Sequence, residues 1–174
     1  MWLFVAGLAI LFISAAIAHI AIRWKLGDQG SWPPDMPGPP LILGLSTIVL
    51  LTSSVTMWMA TQRTDFGSDG RAWVGATLFL GLAYAVTQTL AWLDWRPEVA
   101  EAIAPFPEAR LALTAFYVLT GLHALHALGG LLSLVWVLAV VRPGDRHGLW
   151  PHATYWHFLD IAWIFVWLLL LLAR

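Results

Sequence analysis

The 174 residues contain no cysteine and no asparagine. Without cysteine there can be no disulfide, no thiolate metal site and no cysteine nucleophile. Charge is also scarce: Asp, Glu, Lys and Arg make up 11% of the chain, against about 25% in a soluble domain. A net charge of −1 offers nothing to nucleic acid or to a strongly acidic partner. No serine sits in a nucleophile elbow. No strand is expected, so no glycine-rich phosphate cradle can follow one. Lys and Arg are missing ahead of the first apolar run, which is too long for a signal h-region. The first span is therefore expected to stay in the membrane.

Long apolar runs, twelve tryptophans and six histidines are what the chain does have. With roughly 20 residues needed to cross the hydrocarbon core, the runs predict an all-α integral membrane bundle in one domain. Its five spans are expected near residues 2–22, 41–61, 71–93, 111–141 and 152–173. The tryptophans cluster near the ends of the runs, where an interfacial belt would hold them. Five prolines between Pro33 and Pro40 predict an extended cap between the first two spans. A polar turn is expected over Gln62–Gly70, a proline-containing acidic loop over Asp94–Arg110, and a turn over Arg142–Gly148. The positive-inside rule does not orient the chain, because its basic residues divide almost evenly between the two sides.

The second span is rich in small hydroxyl residues, Ser46, Thr47, Thr52, Ser53, Ser54 and Thr56, and reads as a packing helix. In the third, Thr77, Gly81, Tyr84 and Gln88 form one polar stripe. Gln88 needs a hydrogen-bond partner in lipid, so the stripe should face another helix. His123 and His126 lie three apart in a stretch, Leu111 to Val141, that has no charged residue, and they share a helix face. His157 and Asp160 are i and i+3 and can pair directly. These four side chains are expected to hold helices 4 and 5 in register; a proton relay is the functional alternative.

Six histidines also raise a haem b cytochrome as an alternative. His126 lies some 15 residues before the expected end of helix 4, and His157 about five residues into helix 5. At 1.5 Å per residue the depths differ by roughly 15 Å, which disfavours a bis-histidine haem within the chain. The only carboxylate inside a span is Asp160, too few for a dinuclear metal site.

Four segments in order resemble one family, subunit III of the haem-copper respiratory oxidases (cytochrome c oxidase subunit III). Phe116 to His126, FYVLTGLHALH, is similar to that family's TGFHGLH signature. Tyr155-Trp156-His157-Phe158-Leu159-Asp160-Ile161-Ala162-Trp163 is similar to its YWHFVDVVW signature. Leu50 to Thr56 matches its LLTSSVT helix, after a proline-containing approach. Met1-Trp2-Leu3-Phe4 resembles the start of the family's third helix, so the five spans correspond to the five-helix bacterial type.

The resemblance implies a non-catalytic subunit of a proton-pumping terminal oxidase that serves oxygen reduction in aerobic respiration. It implies no haem or copper in this chain, with those groups in partner subunits, and bound phospholipid. The partners it implies are subunit I in direct contact, subunit II and other oxidase subunits, membrane lipid and a respiratory supercomplex. The location it implies is the bacterial inner membrane, with Met1 cytoplasmic and Arg174 outside. The subunit III-like accessory subunit of a nitric oxide reductase shares the fold and stays open beside the oxidase. Some positions depart from the family: Leu8 stands where a helix carboxylate is usual, Ala91 and Trp92 follow Gln88 in place of Glu-Tyr, and Ser46 replaces an Asn. Losing two acidic positions favours scaffolding over proton relay.

Overall fold

A computed structural model describes residues 2–34, 36–65 and 69–172. Five helices, α1 (Trp2–Asp28), α2 (Leu41–Asp65), α3 (Arg71–Ile103), α4 (Ala109–Val140) and α5 (Arg146–Leu172), are each long and apolar enough to cross a membrane. The expected end of the last span at Ala173, the Arg174 tail, Met1, Asp35 of the proline cap and residues 66–68 of the polar turn lie outside the described residues.

Four boundaries differ from expectation, each for a physical reason. α2 runs to Asp65, into the expected polar turn, because Thr64 on its next turn is buried. α1 continues through Arg23, Trp24 and Lys25, because Leu26 on its next turn is buried. α3 runs ten residues past Leu93 and absorbs most of the expected acidic loop. Trp95, Val99 and Ile103, spaced by four, continue its buried stripe, and that packing outweighs the backbone hydrogen bond lost at Pro97. α5 starts at Arg146 and not at His152. Asp145 is its N-cap, accepting the Gly148 N–H at 3.1 Å through Oδ1. The Asp-x-x-Gly pattern carried this signal and was read as a turn.

α5 packs against α1, α2 and α4, while α3 bridges α2 and α4. α5 is the most buried of the five, and its inward face carries Trp156 and Trp163, both almost fully enclosed. At one end of the bundle the Arg71 guanidinium of α3 donates to the carbonyls of Leu138 and Val141. It thereby caps the last turn of α4, whose terminal carbonyls have no intrahelical partner.

Candidate functional site

A polar seam runs through the middle of the bundle, with the two tryptophans of α5 as its axis. Trp156 and Trp163 are seven residues apart and project from the same face of the helix. The Trp156 indole N–H donates to Ser53 Oγ at 3.1 Å, and that of Trp163 to Thr47 Oγ1 at 3.0 Å. Each hydroxyl passes its own proton to its helix: Ser53 to the Leu50 carbonyl at 2.6 Å, Thr47 to the Leu43 carbonyl at 2.8 Å. A hydroxyl can accept and donate at once, which makes the Ser/Thr run of α2 a ladder of sockets for indoles.

The stripe on α3 faces this seam. Thr77 and Thr56 of α2 share a hydrogen bond at 2.8 Å, and the Gln88 amide meets Ser46 at 2.8 Å. Gly81 leaves room for the Trp156 ring: a β-carbon there would lie 2.7 Å from Trp156 Cη2. Gly130 on α4 does the same on the other side, where a β-carbon would meet Leu159 at 2.8 Å and Trp156 at 3.2 Å. Trp156 is thus wedged between two glycines on different helices and tied to a third helix by its N–H. The motif Tyr155–Trp163 singles out Trp156 in the sequence but pairs it with neither glycine, because all three lie on different helices.

The histidines fasten the bundle along other lines than expected. His123 is buried on α4, and its Nε2 lies 3.4 Å from Tyr84 Oη of α3, a long hydrogen bond. His126 is half-buried and turns its Nδ1–H back to the Leu122 carbonyl of its own helix at 2.6 Å. The direct hydrogen bond from α5 to α4 in this region runs instead from Tyr155 Oη to the His126 carbonyl at 3.0 Å. His157 is 35% exposed, so it stands at the bundle margin and not in the interior. Its Nδ1 bonds Ser54 of α2 at 2.7 Å. Asp160 is buried. His157 Nδ1 is 3.9 Å away, inside ion-pair range but too far for a hydrogen bond. Ser54 of α2, which bonds the imidazole, also bears on the carboxylate, but neither oxygen has a hydrogen bond of ordinary geometry among the described residues. The expectation that His123, His126, His157 and Asp160 hold helices 4 and 5 in register is therefore corrected. His123 ties α4 to α3, His157 ties α5 to α2, and His126 ties no helix pair by a side-chain hydrogen bond. His19, outside the expected set, does: its Nδ1–H donates to the Ala112 carbonyl at 3.1 Å and joins α1 to α4.

Depth needs correction too. His126 stands 14 residues before Val140 and His157 11 residues after Arg146, an offset of roughly 5 Å at 1.5 Å per residue. The earlier start of α5 removes the mismatch expected between them. What bears on metal binding is convergence. Among the described residues no three His, Asp or Glu side chains come together as a metal site would require.

Asp160 gives a prediction of its own. A buried carboxyl held only by a weak contact with Ser54 and an imidazole 3.9 Å away contributes little to holding the fold, and its replacement by a neutral group of like shape, which keeps an oxygen for Ser54, is close to neutral. Asp160→Asn is expected to leave the thermal midpoint of the detergent-solubilised protein within the scatter of surface substitutions, about 0.5 kcal/mol. A loss as large as that of a buried tryptophan would restore Asp160 as a fastener.

The family described as cytochrome c oxidase subunit III matches residues 1–172 of the chain. Among similar proteins, "Cytochrome c oxidase subunit 3" of Bacillus subtilis is 27% identical over 175 residues, covering 95% of this chain and 80% of that protein. "Cytochrome c oxidase subunit 3" of Synechocystis is 29% identical over 182 residues, covering 98% and 72%. "Cytochrome bo(3) ubiquinol oxidase subunit 3" of Pseudomonas aeruginosa is 31% identical over 177 residues, covering 95% and 79%.

Proposed function

The chain belongs to the cytochrome c oxidase subunit III family, and from that premise we propose that it is the accessory, non-catalytic subunit of a haem-copper terminal oxidase, packing beside subunit I and sustaining its proton uptake. The haems and copper belong to partner subunits, and phospholipid fills the outer faces. Met1 lies on the cytoplasmic side and Arg174 on the outer side.

The observation that carries this reading is how the interior polar groups are used. The indoles of Trp156 and Trp163, the hydroxyls of Thr56 and Thr77 and the imidazoles of His157 and His19 are spent on hydrogen bonds from helix to helix. A redox subunit holds its ligands free for the metal and orients them through second-shell hydrogen bonds. Here the hydrogen bonds join helices. Loss of the family's carboxylate at Leu8 further favours a scaffold over a relay.

Affinity purification of the tagged chain from native membranes in mild detergent tests the proposal. The expected result is a large multi-span subunit that copurifies and carries the haem absorbance. Copurification with a nitric oxide-reducing enzyme, or with no large subunit at all, would overturn the oxidase assignment.

A further inference from the structure

The outer surface of the bundle is not uniform. α1 exposes Ile10, Ile13, Ile17 and Ile20, and α2 exposes Leu45, Ile48 and Val55. The exposed hydroxyls on these faces, Ser14 and Thr52, return their protons to their own helices, at Ile10 O and Ile48 O. Such faces suit acyl chains. Between α3 and α4 the surface is different. A cleft of about 180 Å³ opens there with Trp163 of α5 among its walls, and Tyr84, Gln88, Thr120 and His123 also line it. It continues into an outer groove along Leu82, Val86, Leu90 and Leu128, all exposed.

Two groups in the cleft wall lack a hydrogen-bond partner among the described residues: Gln88 Nε2 and His123 Nδ1. Gln88 stands 17 residues after Arg71 and 15 before Ile103; His123 stands 14 after Ala109 and 17 before Val140. His123 is therefore close to the bilayer midplane, and Gln88, six residues short of Asp94 where charge marks the membrane boundary, lies about 9 Å inside that boundary. The hydrocarbon core is about 30 Å thick, so the nearest phospholipid ester lies about 15 Å from His123 along the normal. An acyl chain can fill this cleft but cannot bond its walls, and an unpaired polar group in hydrocarbon is costly. A transmembrane helix can deliver a hydrogen-bonding side chain at that depth.

We propose that the α3–α4 cleft is the face covered by the large partner subunit. One of its transmembrane helices lies along the Val86–Leu128 groove and inserts a bulky side chain bearing an amide, hydroxyl or indole between Gln88 and His123. The inserted group bonds the Gln88 amide after a rotation of that side chain. The faces of α1 and α2 remain in lipid. This rests on the subunit reading above and names the surface it uses.

Site-directed photo-crosslinking in the intact complex tests the assignment. A photoreactive residue is placed at Val86 or Leu128, and for comparison at Ile13, Ile17, Ile48 or Val55; all six are exposed, so none disturbs the core. Adducts to the large subunit are expected from Val86 and Leu128, and lipid adducts only from the other four. Lipid adducts alone from the cleft positions, or large-subunit adducts from α1 or α2 alone, would overturn this inference while a copurifying large subunit left the functional reading intact. No copurifying large subunit would overturn both.

Discussion

Gly81→Val should destabilise the bundle by about 1–3 kcal/mol, the usual range for overpacking a filled interior. The first added carbon would lie 2.7 Å from Trp156 Cη2 and 2.9 Å from Leu131 Cδ2. The indole has little freedom to retreat, since its N–H is fixed on Ser53 and its other edge rests on Gly130. The internal control is six residues away on the same helix. A β-carbon at Gly75 meets nothing within 4 Å, so Gly75→Val carries the same change in helix propensity without the clash. Melting of the two variants in the same detergent separates the effects. Equal losses would mean that the close approach at Gly81 is not what matters.

Trp156→Ala is expected to cost more, about 3–5 kcal/mol, as deletion of a large core side chain does when the space cannot collapse. Three helices surround the ring, and none can close on the void without leaving its other contacts. The hydrogen bond to Ser53 is the smaller part. Interhelical hydrogen bonds in membranes average about 0.6 kcal/mol and reach about 1.7, so Ser53→Ala should fall in that range. Chemical denaturation in mixed micelles of both variants would rank them. If Ser53→Ala matched Trp156→Ala, the seam would be held by polar bonds and not by packing.

The five spans were legible because apolar runs of bilayer length have few other uses. The polar face of α3 was legible for a related reason: Thr77, Gly81, Tyr84 and Gln88 repeat at helical spacing, and such a stripe has to meet protein. What sequence reading missed lies in pairings between helices. Ser53 and Thr47 looked like generic packing residues, and only the fold sets them opposite Trp156 and Trp163. Spacing brought His157 and Asp160 within ion-pair range, at 3.9 Å, but it could not show that Ser54 on a neighbouring helix takes the closer bond to the imidazole. The ends of α3 and α5 were placed too near the edge of the apolar run. Charged residues marked the membrane boundary there, but buried Trp95, Val99 and Ile103 and the Asp145 cap set the helix boundary. The family resemblance did not depend on these details, since its motifs span the chain from the first helix to the last.

The proposed function separates two roles: this polypeptide packs, and its neighbours carry out the electron chemistry. Stripping the chain from the purified complex with a harsher detergent, then measuring iron and copper in both fractions, tests that division most directly. The account predicts that all haem iron and copper stay with the remaining partner subunits, whose first turnovers continue at nearly the original rate. Iron or copper leaving in fixed ratio with this chain would contradict it.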